Sequence, residues 1–320
     1  QALRPQNFND YIGQDQIKDN LKILLQAAKE RSASAEHILF YGPPGLGKTT
    51  LALLIAKEIG AQIKTTSGPA IERVGDLASI LTNLSPGDIL FIDEIHRLNK
   101  AVEEVLYPAM ESGHIDIIIG KGPSARTIQL ELPPFTLIAA TTRIAMISSP
   151  LRSRFGGGVF RLEFYTDEQI EQIIKRSSTL LNIKHPIDTE DSALRAIAVR
   201  SRKTPRTANY LLKRARDYAQ VHKEPLRHET AQKALSLIGI DASGLTQSDI
   251  QILRTIADKY NGGPVGLNTI AAALSEDQGT IEEFNEPYLI QLGFIERTPR
   301  GRVLSDAGYR HLGIEPPVRQ

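Results

Sequence analysis

The stretch richest in chemistry is Gly42-Pro43-Pro44-Gly45-Leu46-Gly47-Lys48-Thr49. Its spacing is G-x-x-x-x-G-K-[ST], which folds backbone N–H groups into a concave nest around a polyphosphate. Gly45 and Gly47 let the backbone come close to the anion. Lys48 brings an ammonium to the β- and γ-phosphates, and the hydroxyl of Thr49, followed by Thr50, can ligate a nucleotide-borne Mg²⁺. A second cluster, Asp93-Glu94, closes the apolar run Ile89-Leu90-Phe91-Ile92. Asp93 at such a strand end can hold Mg²⁺ through water, and Glu94 can polarise a water for attack on phosphorus. The two clusters together point to ATP and Mg²⁺ as cofactors and to phosphoanhydride hydrolysis as the chemistry.

Two further groups bear on the same reaction. Phe135-Thr136-Leu137-Ile138-Ala139-Ala140 leads into Thr141-Thr142-Arg143, where Thr142 either senses a γ-phosphate or only terminates a strand. Arg152 and Arg154 lie between Pro150 and Gly156. Such arginines are ordinary surface charge, but an ATPase working as a ring needs an arginine supplied in trans, worth roughly 10³–10⁵ in rate.

These residues need a scaffold that gathers strand ends. Ile38-Leu39-Phe40 reads as a buried strand before the phosphate loop, and 50–57 as a helix whose N-terminal dipole favours the anion. Uninterrupted apolar runs at 38–40, 89–92 and 135–140 are expected of strands covered on both faces of a parallel sheet. Residues 115–119 and 127–132 are β-rich around Gly120 to Arg126 and predict a hairpin, which either extends the sheet or docks a partner through exposed isoleucines. From Tyr165 to Ile240 the strand signals stop and apolar residues fall at helical spacing, with Thr166 and Asp191 as helix N-caps. Asp241 to Gly244 reads as a hinge. A helix capped by Thr246 then runs through Lys259, a short one covers 267–274, and a third covers 281–292, started or kinked by Pro287. Residues 294–304 follow as two short strands. Three helices and a hairpin form a winged helix, related to helix-turn-helix DNA readers. Arg297, Arg300 and Arg302 crowd that hairpin and suit phosphate contacts, although winged helices also dock proteins.

Composition narrows the classes. The chain is 41% hydrophobic and 23% charged, and is long enough for two or three domains. A net charge of +1 says nothing about nucleic acid. Zero cysteines exclude thiol chemistry, disulfides and cysteine-based metal sites, and suit a cytoplasmic protein. The seven histidines, His37, His96 and His114 among them, show no metal-ligand spacing. No apolar run reaches membrane-span length, so no membrane partner is expected.

The motifs combine into a resemblance to the AAA+ ATPases, and within them to the RuvB family of bacterial Holliday-junction branch-migration motors. It rests on the phosphate loop with its flanking Tyr41 and Thr50, and on Leu3-Arg4-Pro5 with Tyr11-Ile12-Gly13-Gln14. It continues through Thr66 to Glu72, Ile92 to Arg97, Leu106 to Glu111, Ile119 to Arg126, Leu132 to Thr136, Ser149 to Arg152 and Arg161 to Tyr165. In the last third it is carried by Gly262 to Gly266, Glu286 to Gln291 and Arg297 to Arg302. The resemblance implies an α/β fold: an AAA+ parallel-sheet ATPase domain (1–163), a helical lid (164–240) and a C-terminal winged-helix domain (241–320). It also implies an adenine pocket of Leu3, Arg4, Tyr11 and Ile12, sensor 1 at Thr142, an arginine finger at Arg154 and sensor 2 at Arg206. Glu111, Ser112, Gly113 and Tyr165 would border the nucleotide. The implied partners are the duplex arms of Holliday junctions, the junction-binding protein RuvA docked on the 115–132 hairpin, the resolvase RuvC in the same complex, and further copies in a homohexamer. The implied process is recombination and repair of damaged DNA. The sequence departs from the family pattern at Gly156-Gly157-Gly158, Ala139, Lys203, Ser112 to His114 and Gln278, none of which removes a catalytic group. The competing readings are a clamp-loader-like or protein-remodelling ATPase, and a DNA-binding regulator that uses ATP as a switch.

Overall fold

The computed structural model describes residues 3–318, which divide into two compact units. One unit comprises Arg4–Gly42 and Leu46–Glu163, and the other comprises Leu3, Pro43–Gly45 and 164–318.

The first unit is built on five parallel strands: β1 (Ile38–Tyr41), β2 (Ile63–Ser67), β3 (Ile89–Asp93), β6 (Thr136–Thr141) and β7 (Gly158–Arg161). A separate antiparallel pair, β4 (His114–Ile119) and β5 (Arg126–Glu131), intervenes in sequence. The order across the sheet is β2-β3-β6-β1-β7. The apolar runs at 38–40, 89–92 and 135–140 occupy its three inner places, where helices cover both faces. β6 begins one residue later than the apolar run suggested and carries Thr141 inside it. The edge strands β2 and β7 are partly exposed, and both are short and carry a charged side chain, Lys64 and Arg161, which discourages further strands from pairing.

Leu77 and Leu81 from the helix Val74–Thr82, and Val102 and Leu106 from the helix Lys100–Ser112, pack beneath Leu90, Ile92 and Leu137 of the sheet. Each such side chain contributes about 1.5–3 kcal/mol by leaving water. His37 ties three of these pieces together. Leu137 N donates to its Nδ1, so the Nε2 carries the proton and donates to Met110 O. Burial pushes its pKa down, which keeps the ring neutral in that role.

In the second unit the helices Asp167–Asn182, Asp191–Ala198, Pro205–His222 and His228–Leu237 pack together. Thr166 caps the first in a reciprocal box with Gln169. The cap of the second is Glu190 rather than Asp191, which forms the first helical residue, where its charge complements the helix dipole.

The remaining segment has the winged-helix plan. Thr246 caps Gln247–Arg254 in a box with Asp249, and the helix continues as a π-helical stretch over Thr255–Lys259. Leu267–Leu274 follows. The third helix is compound: Gln278–Thr280, a π-helical stretch Ile281–Asn285, then Glu286–Gln291. Pro287 falls inside this continuous run, where it has no N–H to give to the preceding turn, and the π-helical stretch ends just before it. The wing is β8 (Ile295–Thr298) against β9 (Gly301–Leu304). Asp241 to Gly244 is not the loose hinge its composition suggests. Asp241 Oδ1 accepts from Ser243 N and Leu245 N, and Oδ2 meets His311.

Candidate active site

The central strands deliver the predicted residues to one edge of the sheet. β6 lies between β1 and β3, pairing Tyr41 with Thr141 and Ile92 with Ala139. Three chain segments therefore leave the sheet side by side at its C-terminal edge: the phosphate loop after β1, Thr142 after β6, and Asp93-Glu94 at the end of β3. Ligands of open α/β sheets bind at this edge. Gly42 N donates to Thr141 O, stitching the loop entry to the neighbouring strand end.

The loop has the shape its glycines allow. Gly42, Gly45 and Gly47 have φ of 140°, 86° and 110°, and Lys48 opens the helix Lys48–Ile59. A side chain at Gly47 would place its Cβ 2.5 Å from the Tyr11 hydroxyl, which donates to Leu46 O. Tyr11 is buried and thus presses directly on the loop, while Ile12 is half-buried beside it. Lys18 holds Tyr11 in turn, donating from Nζ to its carbonyl at 2.6 Å. Lys48 is 8% exposed, and its Nζ donates to Gly42 O at 2.7 Å. Thr49 and Thr50 are half-buried in the first helical turn.

Asp93 and Glu94 differ in setting although they are adjacent. Asp93 Oδ1 accepts from Glu94 N, which orients the carboxylate. Glu94 has a left-handed backbone, φ 48°, uncommon for a residue with a Cβ and found where surrounding structure enforces it. Its carboxylate lies 3.7 Å from Arg97. The hydroxyl of Thr142 is buried and has no hydrogen-bond partner. A buried unpaired hydroxyl is costly, so it fits a group that approaches this edge with acceptor oxygens. Next to it, Thr141 Oγ1 accepts from Arg143 N and shares a hydrogen bond with Nδ1 of His96. His96 sits in the single turn Ile95–Arg97 directly after Glu94, so this contact links the β3 and β6 ends. Its role as a link was not legible in sequence, because Thr141 lies 45 residues away.

The residues present fit a Mg²⁺-nucleotide: a glycine nest, a buried lysine, a threonine at the helix start, one oriented carboxylate and an orphaned hydroxyl. Among the described residues no cluster of three or more metal-ligating side chains occurs. A Thr49–Asp93 pair suits an ion carried in mainly by phosphate oxygens.

Arg154 is a quarter exposed and folds onto its own unit. It donates to Glu111 at 3.0 Å and to Pro150 O, and its guanidinium lies 4.4 Å from the Tyr107 ring centre. Its Nε is buried without a partner. Burial and a hydrogen bond to Glu103 push the Tyr107 phenol upward, so the ring under the guanidinium stays neutral. Glu111 and Ser112 end the helix Lys100–Ser112, and Gly113 caps it in a left-handed conformation. The triple glycine after Arg154 is well packed. A Cβ at Gly157 would lie 2.8 Å from the carbonyls of Glu36 and His37, and Gly157 N donates to His37 O. Glycine lets this segment close against the entry to β1, so the chain that carries Arg154 is held at both ends.

In the second unit, Leu3 O accepts from Arg176, and Tyr165 is buried with its N–H on Lys203 O. Arg206 is an exposed side chain in the first turn of Pro205–His222, with its N–H on Gly45 O. Arg4, in the first unit, is also exposed.

The wing holds a surprise for its arginines. Glu286, 1% exposed, accepts from both Arg297 and Arg302, and Arg302 is largely covered. Arg300, at the turn between β8 and β9, is exposed. Nothing in the sequence pairs a helix-start glutamate with wing arginines 11 and 16 residues later. On the β4–β5 hairpin, Ile115 is buried in the core, while Ile118 and Ile119 are 72% and 54% exposed.

Comparison with known proteins covers nearly the whole chain. Residues 3–161 match the Holliday junction DNA helicase RuvB P-loop domain, 165–241 the RuvB AAA lid domain, and 242–313 the RuvB C-terminal winged helix domain. The chain is 56% identical over 314 residues to the Holliday junction branch migration complex subunit RuvB of Dehalococcoides mccartyi (strain CBDB1), spanning 98% of this chain and 88% of that one. The solved Thermotoga maritima RuvB Holliday junction branch migration motor superposes with a TM-score of 0.90 at 47% identity, over 99% of this chain and all of that one. A mutant of the same Thermotoga protein gives 0.91, with the same identity and coverage.

Proposed function

Since the chain belongs to the RuvB family of AAA+ ATPases, we propose that it is the ATP-driven motor of Holliday-junction branch migration. The observation that carries this reading is the unpaired Thr142 hydroxyl, buried on the sheet edge that also presents the phosphate loop and Asp93-Glu94. A winged helix in the same chain supplies a unit able to meet DNA.

Lys48 binds the β- and γ-phosphates, and Gly45, Gly47 and Thr50 line their cradle. Thr49 and Asp93 would hold Mg²⁺, which would neutralise charge on the phosphate oxygens. Glu94 orients and deprotonates the attacking water, and Thr142 donates to the γ-phosphate. Leu3, Arg4, Tyr11 and Ile12 enclose the base, and Tyr165 and Arg206 complete the pocket from the lid. Glu111, Ser112 and Gly113 border the nucleotide beside Arg154, which reaches the γ-phosphate of a neighbouring copy. That arrangement needs a ring, which in this family is a homohexamer. Domain limits of 1–163, 164–240 and 241–320 fit these roles, and Arg300 with the exposed side of Arg297 meets DNA phosphates. The exposed Ile118 and Ile119 dock RuvA, and RuvC joins the same complex during recombination and repair in the cytoplasm. Among the described residues no helix is long and apolar enough to cross a membrane.

The test is the ATPase rate with and without junction DNA and RuvA. Both should raise it. A rate indifferent to DNA would instead favour a remodelling ATPase, and sequence-specific binding with negligible turnover would favour an ATP-switched regulator.

A further inference from the structure

The lid segment ends in an unusual piece of backbone. Arg202 and Lys203 both have left-handed conformations, φ 56° and 55°, immediately before the cap Thr204 and the helix that carries Arg206. Two successive non-glycine residues in this region are strained, and such strain persists only where contacts over-determine it. Arg202 supplies those contacts. Its guanidinium, 4% exposed, leaves the lid and enters the winged-helix segment. There it donates to Asp249 at 2.5 Å, to Gly244 O at 3.2 Å and to Phe284 O at 3.0 Å. It also stacks on Phe284 and Tyr288, with ring centres 4.3 and 4.5 Å away.

The network continues past Arg202. Asp249, fully buried, also accepts from Asn285 Nδ2 at 2.8 Å. The next residue, Glu286, is the carboxylate that grips Arg297 and Arg302 of the wing. In the other direction, three residues separate Arg202 from Arg206, whose N–H meets Gly45 of the phosphate loop. A planar, always-charged fork stacked between aromatic rings and bonded to three separate points is a rigid fastener, which lysine cannot copy.

We infer that Arg202 is a positioning residue that locks the lid to the winged helix, so that a nucleotide-driven shift at Arg206 reaches the wing through Asp249, Asn285 and Glu286. The inference rests on the motor reading above, and it treats the two segments as one moving body rather than as beads on a hinge.

The experiment compares the full-length parent with a paired variant, Arg202→Gln with Asp249→Asn, which removes both buried charges together. Hydrogen–deuterium exchange is followed with and without a non-hydrolysable ATP analogue and Mg²⁺. In the parent, nucleotide should slow exchange at the start of Pro205–His222 and also across 281–304. In the paired variant the first response should remain and the second should vanish. DNA-stimulated ATPase should fall about tenfold while basal ATPase stays within about twofold, a split that general destabilisation would not produce. Arg202→Lys keeps the charge beside Asp249 but loses the fork, so it serves if the paired variant does not fold, and its wing response should fall by at least about half. An unchanged wing response in the folded variants, or none in the parent, overturns the proposal. A parent whose wing responds to nucleotide but whose ATPase ignores DNA overturns the motor reading alone, and leaves the Arg202 lock supported.

Discussion

At the scale of single residues, the site is defined as much by what is left unpaired as by what is bonded. The Thr142 hydroxyl is buried without a partner, a cost ordinarily avoided. Thr142→Val keeps the shape and removes the orphan. Its nucleotide-free thermal stability should equal or exceed the parent's, while ATP turnover falls at least about tenfold. A stability loss by calorimetry would show that the hydroxyl has a structural partner and is not reserved for phosphate. Glu94→Gln leaves Lys48 and Asp93 in place, so nucleotide affinity should hold within about threefold while turnover drops by about 10²–10⁴. Normal turnover in that variant would remove Glu94 from the role of base.

At the scale of elements, two arginine-bearing segments are held in cis by partners far along the chain. Arg154 rests on Glu111 and Tyr107 within one unit, yet its proposed target belongs to a neighbouring copy. Arg154→Ala should bind nucleotide and fail to hydrolyse it. Mixed rings with Lys48→Ala should recover part of the rate, because some interfaces then pair an intact loop with an intact finger. Mixed rings without any recovery would count against action in trans. The wing behaves differently at each arginine. Arg300→Ala should weaken duplex binding equally on unrelated sequences and flatten log K against log salt by about one unit, with no change in stability. Arg302→Ala removes a partner of buried Glu286 and should cost about 1–3 kcal/mol of folding stability as well. Burial alone would push the Glu286 carboxyl upward, but the hydrogen bonds and charges of Arg302 and Arg297 outweigh it and hold the group below the ordinary carboxylate range. Its stabilising effect is therefore complete above the unfolded-state value and is lost as pH falls through the lowered folded value. Urea unfolding should show Glu286→Gln less stable than the parent at neutral pH, with the gap closing in strong acid. A gap independent of pH would mean that shape, and not charge, is what Glu286 supplies.

At the scale of the whole molecule, the β4–β5 hairpin carries a cluster of exposed isoleucines, Ile118, Ile119 and Ile128. Its base is anchored by buried Ile115, and apolar side chains are exposed toward its tip. Ile118→Ser with Ile119→Ser should leave basal ATPase unchanged, since the hairpin supplies no catalytic group, and should abolish stimulation by RuvA. Loss of basal activity in a well-folded variant would assign the hairpin to the architecture instead. The lid and winged-helix segments, which the sequence separates at 241–244, share one compact unit, within which Arg202 of the first pairs with Asp249 of the second.

What the sequence determined by itself is whatever depends on neighbours along the chain. The phosphate loop needs its glycines at fixed offsets, so it is readable directly. The inner strands announce themselves by unbroken apolar runs, and the caps at Thr166 and Thr246 by short-range side-chain bonds. The family followed from many such local blocks together. The tertiary structure alone decided the pairings across long sequence distances: His96 with Thr141, Arg154 with Glu111, Arg202 with Asp249, and Glu286 with two wing arginines. A polar side chain carries no sign in sequence of which distant partner will satisfy it. Burial makes that partner obligatory, and only the packed fold brings the two together.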